Sequence, residues 1–259
     1  MSDTLRQIAD RIAVDEADFF RSFRADAWKP ASARKPVEVS ARLARGFFLV
    51  CELKKASPSK GLIRESFHPV ALARAYEEGG AGALSVLTEK NYFLGSKEYL
   101  REVRGATSLP LLRKDFIFHP AQVYEAFDLG ADLVLLIAAL LDDETLGALH
   151  RLIRSLGMTP LVEVHDEGEL ERALPLAPPL LGINNRDLRT LKTDFSTCLR
   201  LRKRVPASVA AIAESSIETP EQLRTLQDAG FAGALVGESL MRQDDVAQAV
   251  RRLKGLLAP

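Results

Sequence analysis

A repeated junction between a helix end and an apolar strand constrains this chain more than any other feature of its sequence. The segments AYEEGGAGALSVL, AFDLGADLVLLI and LQDAGFAGALVG each pass from a helical pattern through glycine and alanine into a short apolar run. Glycine is expected there because it ends helices in the left-handed conformation, in which a Cβ atom would clash. The predicted helix-ending glycines are Gly79, Gly130 and Gly230, separated by 51 and 100 residues. Both intervals are near multiples of one strand and helix unit of roughly 25 residues.

Eight short runs of apolar and β-branched residues, each bounded by turn residues, are predicted to be strands. Most are apolar along their whole length, which is typical of parallel strands that are covered on both faces. The predicted strands are Phe47–Glu52, Ala83–Leu87, Pro110–Lys114, Leu133–Ile137, Pro160–Val164, Leu180–Asn184, Ala210–Glu214 and Ala234–Gly237. Their alternation with helices predicts an α/β fold, a closed (β/α)8 TIM barrel over residues 47–259.

Residues 1–46 precede the first predicted strand and are expected to form an N-terminal helical extension packed on the barrel. Apolar residues recur in this segment at the spacing of an amphipathic helix. They are Leu5, Ile8, Ile12, Phe19, Phe20 and Phe23.

Charge and composition exclude several classes of function. The 259 residues include 35 Lys and Arg against 35 Asp and Glu, without a basic block, so neither nucleic acid nor a membrane surface is an expected partner. The longest apolar run, Leu133 to Leu141, is far shorter than the roughly 20 residues that span a bilayer. We therefore expect a cytoplasmic protein that binds a small molecule. Cys51 and Cys198 predict neither a disulfide framework nor a metal site.

Four histidines are also candidates for a functional role. They are His68, His119, His150 and His165. Their spacing does not match a metal-binding motif, and we expect each to lie in a loop or at a helix start. No metal site is predicted.

Charged and amide side chains occur where the predicted strands end, which is the end that carries the catalytic groups of barrel enzymes. In chain order they are Glu52, Lys54, Lys114, Glu163, Asn184, Arg186 and Glu214. Buried charges are costly unless they are paired, and paired buried groups have shifted pKa values. The pattern therefore predicts one partly desolvated site of acids and bases, with solvated loop charges as the alternative.

Two loops near the C-terminus predict a phosphate site. AESSI and VGESL each place small residues and free backbone N–H groups before a helix, where barrel enzymes commonly bind phosphate. Lys54 and Ser57, after the first strand, are placed to complete this site. Ordinary polar turns are the alternative.

Eight motifs follow one another in this chain. They are ELKKASPSKG, TEKNYFLGS, LLRKDF, GADLVLLIAALL, PLVEVHD, GINNRDL, AESSI and LVGESLM. Together they cover about residues 47 to 245 and closely resemble the indole-3-glycerol-phosphate synthase family of tryptophan biosynthesis. The resemblance implies ring closure of 1-(2-carboxyphenylamino)-1-deoxyribulose 5-phosphate to indole-3-glycerol phosphate, with loss of CO2 and water. It implies no cofactor.

The resemblance also implies catalytic roles for four residues. Lys114 matches the general acid that protonates or polarises the substrate ketone, and Glu163 matches the base and electrostatic stabiliser paired with it. Lys54, supported by Glu52, matches a second lysine implicated in binding and in the dehydration step.

Further matches concern binding. Asn184, Arg186 and Glu214 correspond to groups that orient the hydroxyls and carboxylate of the substrate. The matches at the phosphate site, besides Lys54, are Ser57, Ser215, Ser216, Gly237 and Glu238, the last two acting mainly through backbone N–H groups. Phe93, Phe116 and Leu135 match apolar walls around the anthranilate ring, for which plain barrel packing is an equal alternative.

Two departures from the family pattern keep other functions open. The family usually has ESG where this chain has Glu214-Ser215-Ser216, and a small apolar residue where it has Cys51. Cys51 lies near the position of the cysteine base in phosphoribosylanthranilate isomerase, so an isomerase-like barrel is the nearest rival. A Schiff-base aldolase and a non-catalytic phosphate-binding barrel are further alternatives. The expected assembly is a monomer or a weak homodimer.

Overall fold

The computed structural model describes residues 3–31, 33–43 and 46–255, and eight of its strands close into a parallel barrel. These strands are β1 (Phe48–Leu53), β4 (Ala83–Leu87), β5 (Leu111–Lys114), β6 (Leu133–Ile137), β7 (Thr159–Val164), β8 (Leu180–Asn184), β9 (Ala211–Glu214) and β10 (Gly233–Val236). Their order around the barrel is β1-β10-β9-β8-β7-β6-β5-β4, and β4 pairs with β1 to close it. The predicted (β/α)8 TIM barrel is confirmed, and each predicted strand boundary is within one residue of the observed one.

Helices follow the barrel strands and cover the outside of the barrel. They are α4 (Pro69–Gly79), α5 (Lys97–Ala106), α6 (Pro120–Leu129), α7 (Asp143–Ser155), α8 (Glu167–Ala173), α9 (Ser196–Arg202), α10 (Pro220–Asp228), α11 (Glu238–Met241) and α12 (Val246–Lys254). The other elements are α1 (Asp3–Asp15), α2 (Ala17–Ser22), α3 (Ser40–Leu43), a short hairpin of β2 (Ala56–Ser57) and β3 (Gly61–Leu62), and a 3-10 turn over Leu174–Leu176.

The side chains of the barrel strands form two apolar layers, because successive residues of a strand point to opposite faces. Cys51 and Leu53 of β1 belong to the outer layer, between the strands and the helices. Val50 of β1 and Leu135 of β6 belong to the inner layer, which fills the barrel. The polar residues at the strand ends therefore lie above a closed apolar interior.

One of the three predicted helix-ending glycines is wrong. Gly130 and Gly230 have φ angles of 95° and 80°, as predicted, but at the first junction the left-handed residue is Gly80, with φ of 90°. Gly79 is still helical, and a Cβ atom there would lie 2.8 Å from Val250 Cβ. Gly79 is needed for the close approach of α12, whereas Gly80 ends α4.

Two parts of the N-terminal segment contact opposite ends of the barrel. Leu5 and Ile8 of α1 are buried, and both line a pocket at the carboxyl end of the strands. At the other end, Asp132, just before β6, binds the guanidinium of Arg34 and the backbone N–H of Val37. The apolar spacing suggested one helix, but a turn at Glu16 separates α1 from α2. Residues 1–2, 32 and 44–45 of the predicted extension, and 256–259 of the predicted barrel, lie outside the described residues.

Candidate active site

A cavity of about 720 Å³ opens at the carboxyl ends of the barrel strands. The predicted site residues that line it are Glu52, Lys54, Phe93, Lys114, Phe116, Leu135, Glu163, Asn184, Arg186, Glu214, Ser215, Ser216, Gly237 and Glu238. Ser57 does not line this cavity but an adjoining pocket of about 90 Å³, which α1 covers with Thr4, Leu5 and Ile8. Residues distant in the sequence meet here because the strand ends of a closed parallel barrel share one mouth.

Lys114 lies at the centre of the charged groups. Its Nζ atom is 3.0 Å from Glu163 Oε2 and 3.5 Å from Glu214 Oε2. Burial acts to lower the pKa of Lys114, but the carboxylates of Glu163, Glu214 and Glu52 outweigh it and raise the pKa above its usual value. The ammonium group is therefore protonated in the free protein, which a proton donor must be.

Glu163 and Glu214 flank the same lysine but have opposite pKa shifts. Burial acts to raise the pKa of Glu163, yet Lys114 and His165 hold it well below its usual value. Burial and repulsion by Glu163 raise the pKa of Glu214 to about 8. One ionised and one protonated carboxyl group thus face the lysine at neutral pH. Gly182 leaves room for the latter, because a Cβ atom there would collide with Glu214 Oε1.

Glu52 and Lys54 form a second ion pair at the end of β1. Lys54 Nζ donates to Glu52 Oε1 at 2.6 Å, and Ser85 Oγ donates to Glu52 Oε2 at 3.2 Å. Burial acts to raise the pKa of Glu52, but Lys54 and Lys114 outweigh it and lower the pKa. A Cβ atom at Gly237 would lie 2.6 Å from Glu52 Oε1 and 3.2 Å from Lys54 Nζ. Glycine at this position therefore allows the end of β10 to approach the ion pair.

The two predicted phosphate loops differ in geometry. Gly237 is the N-cap of the short helix α11, as predicted for VGESL. The helix that follows AESSI, α10, begins only at Pro220, where Thr219 and Gln222 form a capping box. Ser215 and Ser216 instead form a left-handed turn, with φ angles of 67° and 53°. The Ser216 hydroxyl is buried without a hydrogen-bond partner among the described residues.

The opposite wall of the cavity is apolar. The rings of Phe93 and Phe116 lie 6.0 Å apart with planes tilted by 42°, and Leu135 is buried below them. The Glu89 carboxylate accepts hydrogen bonds from the backbone N–H groups of Asn91, Tyr92 and Phe93, which fixes the loop that carries Phe93.

The loop after β8 contributes polar groups. Asn184 Oδ1 accepts a hydrogen bond from the backbone N–H of Arg186 at 3.0 Å. The guanidinium of Arg186 donates to the Leu191 carbonyl at 2.8 Å and lies 3.3 Å from Ser59 Oγ. Arg186 therefore crosses the mouth from β8 towards the hairpin after β1.

The family model described as indole-3-glycerol phosphate synthase matches residues 3–253. The chain belongs to this family. The indole-3-glycerol phosphate synthase of Acidovorax sp. is 46% identical, with 98% of this chain and 99% of that protein covered. That of Polaromonas naphthalenivorans is 51% identical, with 80% of this chain and 79% of that protein covered.

Solved structures of other proteins share only the fold. A thiamine phosphate pyrophosphorylase from Pyrococcus furiosus has a TM-score of 0.61 at 17% identity and covers 85% of this chain and 98% of its own. The protein described as KGPDC from Streptococcus mutans has a TM-score of 0.63 at 12% identity, with coverages of 82% and 97%.

Within this indole-3-glycerol phosphate synthase family member, Cys51 does not line the site. Its side chain is fully buried in the outer apolar layer, away from Glu52 and Lys54, and burial raises the pKa of its thiol. The cysteine that motivated an isomerase-like alternative therefore does not face the cavity.

A buried arginine behind the site was not predicted. Arg113 is fully buried, 3.1 Å from Asp115 and 2.9 Å from Glu125. Asp115 in turn accepts a hydrogen bond from the Phe116 backbone N–H. Arg113 and Asp115 therefore fix the strand end on either side of Lys114.

His165 was predicted to lie in a loop or at a helix start, and it does follow β7 directly, but it also contacts Glu163. A usable signal was present, because residues two apart in a strand share a face and Glu163 had already been assigned to the site. The corresponding prediction for His150 is wrong, since His150 lies within α7 with its ring buried by the amphipathic packing of that helix.

Proposed function

We propose that this cavity binds 1-(2-carboxyphenylamino)-1-deoxyribulose 5-phosphate and converts it to indole-3-glycerol phosphate, CO2 and water, the reaction of the family. The observation that carries the proposal is the Lys114 ammonium between Glu163 and Glu214, beside an apolar wall and opposite the Ser215-Ser216 turn. Such a site offers a proton to a carbonyl oxygen, an apolar surface for an aromatic ring and donors for a phosphate at the far end.

In the proposed reaction Lys114 acts first. The aromatic carbon that bears the carboxylate attacks the ketone carbon, and Lys114 gives its proton to the ketone oxygen as the new C–C bond forms. Loss of CO2 then restores the aromatic ring. The Glu163 carboxylate, 3.0 Å from Lys114 Nζ, stabilises the ammonium and holds its orientation. The contact of Lys114 with Glu214 is the longer of the two, at 3.5 Å, so we expect the substrate ketone to replace it. Lys114 can then bind the ketone oxygen and keep its contact with Glu163.

Dehydration needs a second acid, and we assign it to Lys54. The ring nitrogen expels the hydroxyl group, which takes a proton from Lys54 and leaves as water. The neighbouring CH2 carbon then loses a proton to the Glu163 carboxylate, which passes it to Lys114. Lys54 is oriented by Glu52 at 2.6 Å, and it lies on the side of the cavity formed by β1 and β10. Glu214, protonated at neutral pH, is suited to hydrogen bond a substrate hydroxyl or carboxylate together with Asn184 and Arg186.

For the phosphate we propose the Ser215-Ser216 turn, the Gly237 N-cap and the Lys54 ammonium as the main contacts. Consecutive residues with positive φ present backbone N–H groups to an anion, and a helix N-terminus adds its partial positive charge. Ser57 lies in the adjoining pocket, so we assign it to a supporting position of the β2–β3 hairpin.

Beyond the site, we propose residues 1–46 as an N-terminal extension whose α1 covers the mouth of a barrel domain formed by residues 47–259. We also propose a cytoplasmic enzyme without a cofactor, active as a monomer or weak homodimer. Among the described side chains, the exposed large apolar ones are Val14, Leu62 and Leu94, which lie on separate elements. No helix in the described ranges is long and apolar enough to cross a membrane.

The test is a direct assay of the purified full chain. Incubation with 1-(2-carboxyphenylamino)-1-deoxyribulose 5-phosphate should produce the fluorescence of an indole and release one CO2 per indole formed. Phosphoribosylanthranilate serves as the matched control substrate and should not be consumed. Absence of indole formation by folded protein would refute the proposal.

A further inference from the structure

The imidazole of His165 lies between two carboxylates, one of which belongs to the proposed catalytic site. His165 Nε2 is 3.1 Å from Glu163 Oε1, and His165 Nδ1 is 2.9 Å from Glu169 Oε2. The other oxygen of Glu163 contacts Lys114. The side chains of Glu169, His165, Glu163 and Lys114 thus form a continuous row of alternating charge, of which Glu163 and Lys114 line the catalytic cavity.

Local structure holds this row in place. Glu163 and His165 share a face of the strand because Val164 between them is directed into the outer apolar layer. Asp166 caps α8 by accepting a hydrogen bond from the Glu169 backbone N–H at 2.9 Å. Glu169 reaches back and accepts from the His165 backbone N–H at 2.9 Å. The helix start therefore fixes both the backbone and the ring of His165.

We infer that His165 is a positioning residue for the reaction, whose imidazolium, held by Glu169, keeps the Glu163 carboxylate ionised and oriented towards Lys114. This inference rests on the proposed roles of Glu163 and Lys114. His165 itself does not line the catalytic cavity, so it acts through Glu163 and not on the substrate.

The geometry requires the charged form of the ring. A neutral imidazole has one N–H group and can donate to only one of the two carboxylates, whereas the imidazolium can face both. Burial acts to lower the pKa of His165, but Glu163 and Glu169 outweigh it and raise the pKa to about 10. His165 Nε2 faces Glu163 Oε1 at 3.1 Å, a distance at which a bare nitrogen lone pair would repel the carboxylate and an N–H group attracts it.

The charge of His165 matters because the catalytic cavity holds three carboxyl groups, those of Glu52, Glu163 and Glu214, and two ammonium groups, those of Lys54 and Lys114. Glu163 and Glu214 compete for Lys114, and without a second cation both would be pushed towards protonation. With His165 present, Glu163 stays ionised and Glu214 carries the proton. Glu163 can therefore stabilise the Lys114 ammonium as a carboxylate, and Glu214 can donate a hydrogen bond as a carboxylic acid.

Other charged groups share the cleft that exposes the far side of the His165 ring, on α8, on α9 and on the loop after β8. They are Asp166, Arg172, Asp187, Arg189, Lys192, Asp194 and Arg200. Both signs occur among them, and among the described side chains only Glu163 and Glu169 lie within ion-pair distance of the ring. Substitutions at these two positions and at His165 therefore test the row specifically.

The first experiment compares His165→Gln, His165→Asn and the wild type across the pH range. The amide of glutamine reaches the position of His165 Nε2 and keeps a neutral donor next to Glu163. The shorter asparagine reaches only the position of Nδ1, next to Glu169. For both, kcat should fall about ten- to hundredfold with KM within about threefold. The acid limb of the kcat profile should move up by about one pH unit, because Glu163 loses a neighbouring cation. His150→Gln is the matched control, a buried histidine on α7 outside the row, and should leave the profile unchanged.

Glu169→Gln removes the charge at the end of the row that is farthest from Lys114. Without the Glu169 charge the pKa of His165 falls, so the imidazolium is lost at lower pH and the alkaline limb of kcat should move down. Unchanged pH profiles in these variants, with an active wild type, would refute this inference alone. An inactive wild type would refute the proposed function together with it.

A measurement without turnover covers the case in which a variant fails to fold. Nitrogen-15 NMR of histidine-labelled wild-type protein at pH 8 should find His165 doubly protonated. Burial and the neighbouring arginines lower the pKa of His150, so His150 should be neutral in the same spectrum. A neutral His165 at pH 8 would overturn the inference whatever the variants do.

Discussion

The two ends of the barrel each hold a buried ionic cluster, and the clusters differ in how completely their hydrogen bonds are satisfied. At the amino end, Asp132 has no exposed surface. Its Oδ1 accepts from Arg34 and from the Val37 backbone, at 3.0 and 2.8 Å. Its Oδ2 accepts from Arg104 and from the Leu111 backbone, at 2.8 and 2.9 Å. Each oxygen has two donors, and nothing in this cluster is left for a ligand.

At the carboxyl end the corresponding cluster is incomplete. The carboxyl groups of Glu52, Glu163 and Glu214 share the two ammonium groups of Lys54 and Lys114, and the His165 imidazolium contacts Glu163 without lining the cavity. Glu214 Oε1 is buried without a hydrogen-bond partner among the described residues. A buried polar group without a partner costs about 1–3 kcal/mol, and one that lines a cavity can be satisfied by a ligand.

Buried charge alone does not mark the functional end of a barrel. A saturated cluster ties segments together, here the N-terminal segment to β5 and β6, and contributes to stability. A cluster with excess carboxyl groups, an orphaned oxygen and an adjoining cavity is arranged for chemistry. Substitutions at the amino end should therefore change unfolding, and those at the carboxyl end should change turnover.

Lys114→Ala should produce the largest effect. Removing the proposed proton donor should lower kcat by about 10²–10⁴-fold or more, because a general acid contributes mainly in the transition state. Substrate binding should be largely retained, since the phosphate and ring contacts are made elsewhere. Steady-state kinetics followed by indole fluorescence measure both constants.

The control for this variant is Lys203→Ala, which removes an exposed lysine at the end of α9. It should retain wild-type turnover. If Lys114→Ala kept nearly normal turnover, the central assignment of the site would fail.

Asp132→Asn should destabilise the protein through the ionic cluster at the amino end of the barrel. Asparagine replaces one acceptor oxygen by an NH2 group that faces two donors, so the free energy of unfolding should fall by about 3–5 kcal/mol. Urea denaturation measures this, with the exposed Asp228→Asn as the matched control. The kcat of the folded fraction should stay within about twofold of wild type. A selective loss of kcat with normal stability would contradict the division between the two ends.

Glu214→Gln should change how stability depends on pH. The pKa of Glu214 is raised from about 4.5 to about 8 in the folded protein. The stability from this group is therefore fully present below about pH 4.5 and is lost as the pH rises through about 8. Glutamine cannot ionise, so the variant should gain stability relative to wild type between pH 5 and pH 9, on the order of 4 kcal/mol.

Denaturation curves at several pH values test this, and Glu102→Gln, an exposed position on α5, serves as the control. A constant difference between Glu214→Gln and wild type at every pH would mean that Glu214 is ionised throughout the range.

Much of the fold and the site could be predicted from the sequence because both depend on the ends of strands. The fully apolar run Leu133–Ile137 is a strand in the structure with the predicted bounds. Lys114 and Glu163 could be assigned to one site because a closed parallel barrel brings every strand end to the same mouth. Strand periodicity and the glycine junctions carry this information locally.

The remaining features depend on contacts between distant segments. Gly79 is required by α12, which is about 170 residues away in the chain, so the sequence near Gly79 could not distinguish it from Gly80. The contact of α1 with the pocket that contains Ser57 likewise depends on how the N-terminal segment crosses the barrel. The role of His165 depends on the reach of Glu169, which its helix cap determines.

Ser216→Gly should have the smallest effect and tests whether the carboxyl end tolerates its departure from the ESG pattern. Serine at φ of 53° is strained by about 1 kcal/mol relative to glycine, so the variant should be slightly more stable. The buried Ser216 hydroxyl has no partner in the free protein, and a hydrogen bond to a charged phosphate is worth roughly 1.5–3 kcal/mol. Because the loss of this bond is offset by the closer approach of backbone to phosphate that glycine permits, KM should change by less than about tenfold, or about 1.4 kcal/mol. KM values measured for both forms decide the matter: a hundredfold improvement with glycine would mean that serine obstructs the phosphate and that the natural substrate is not the one proposed.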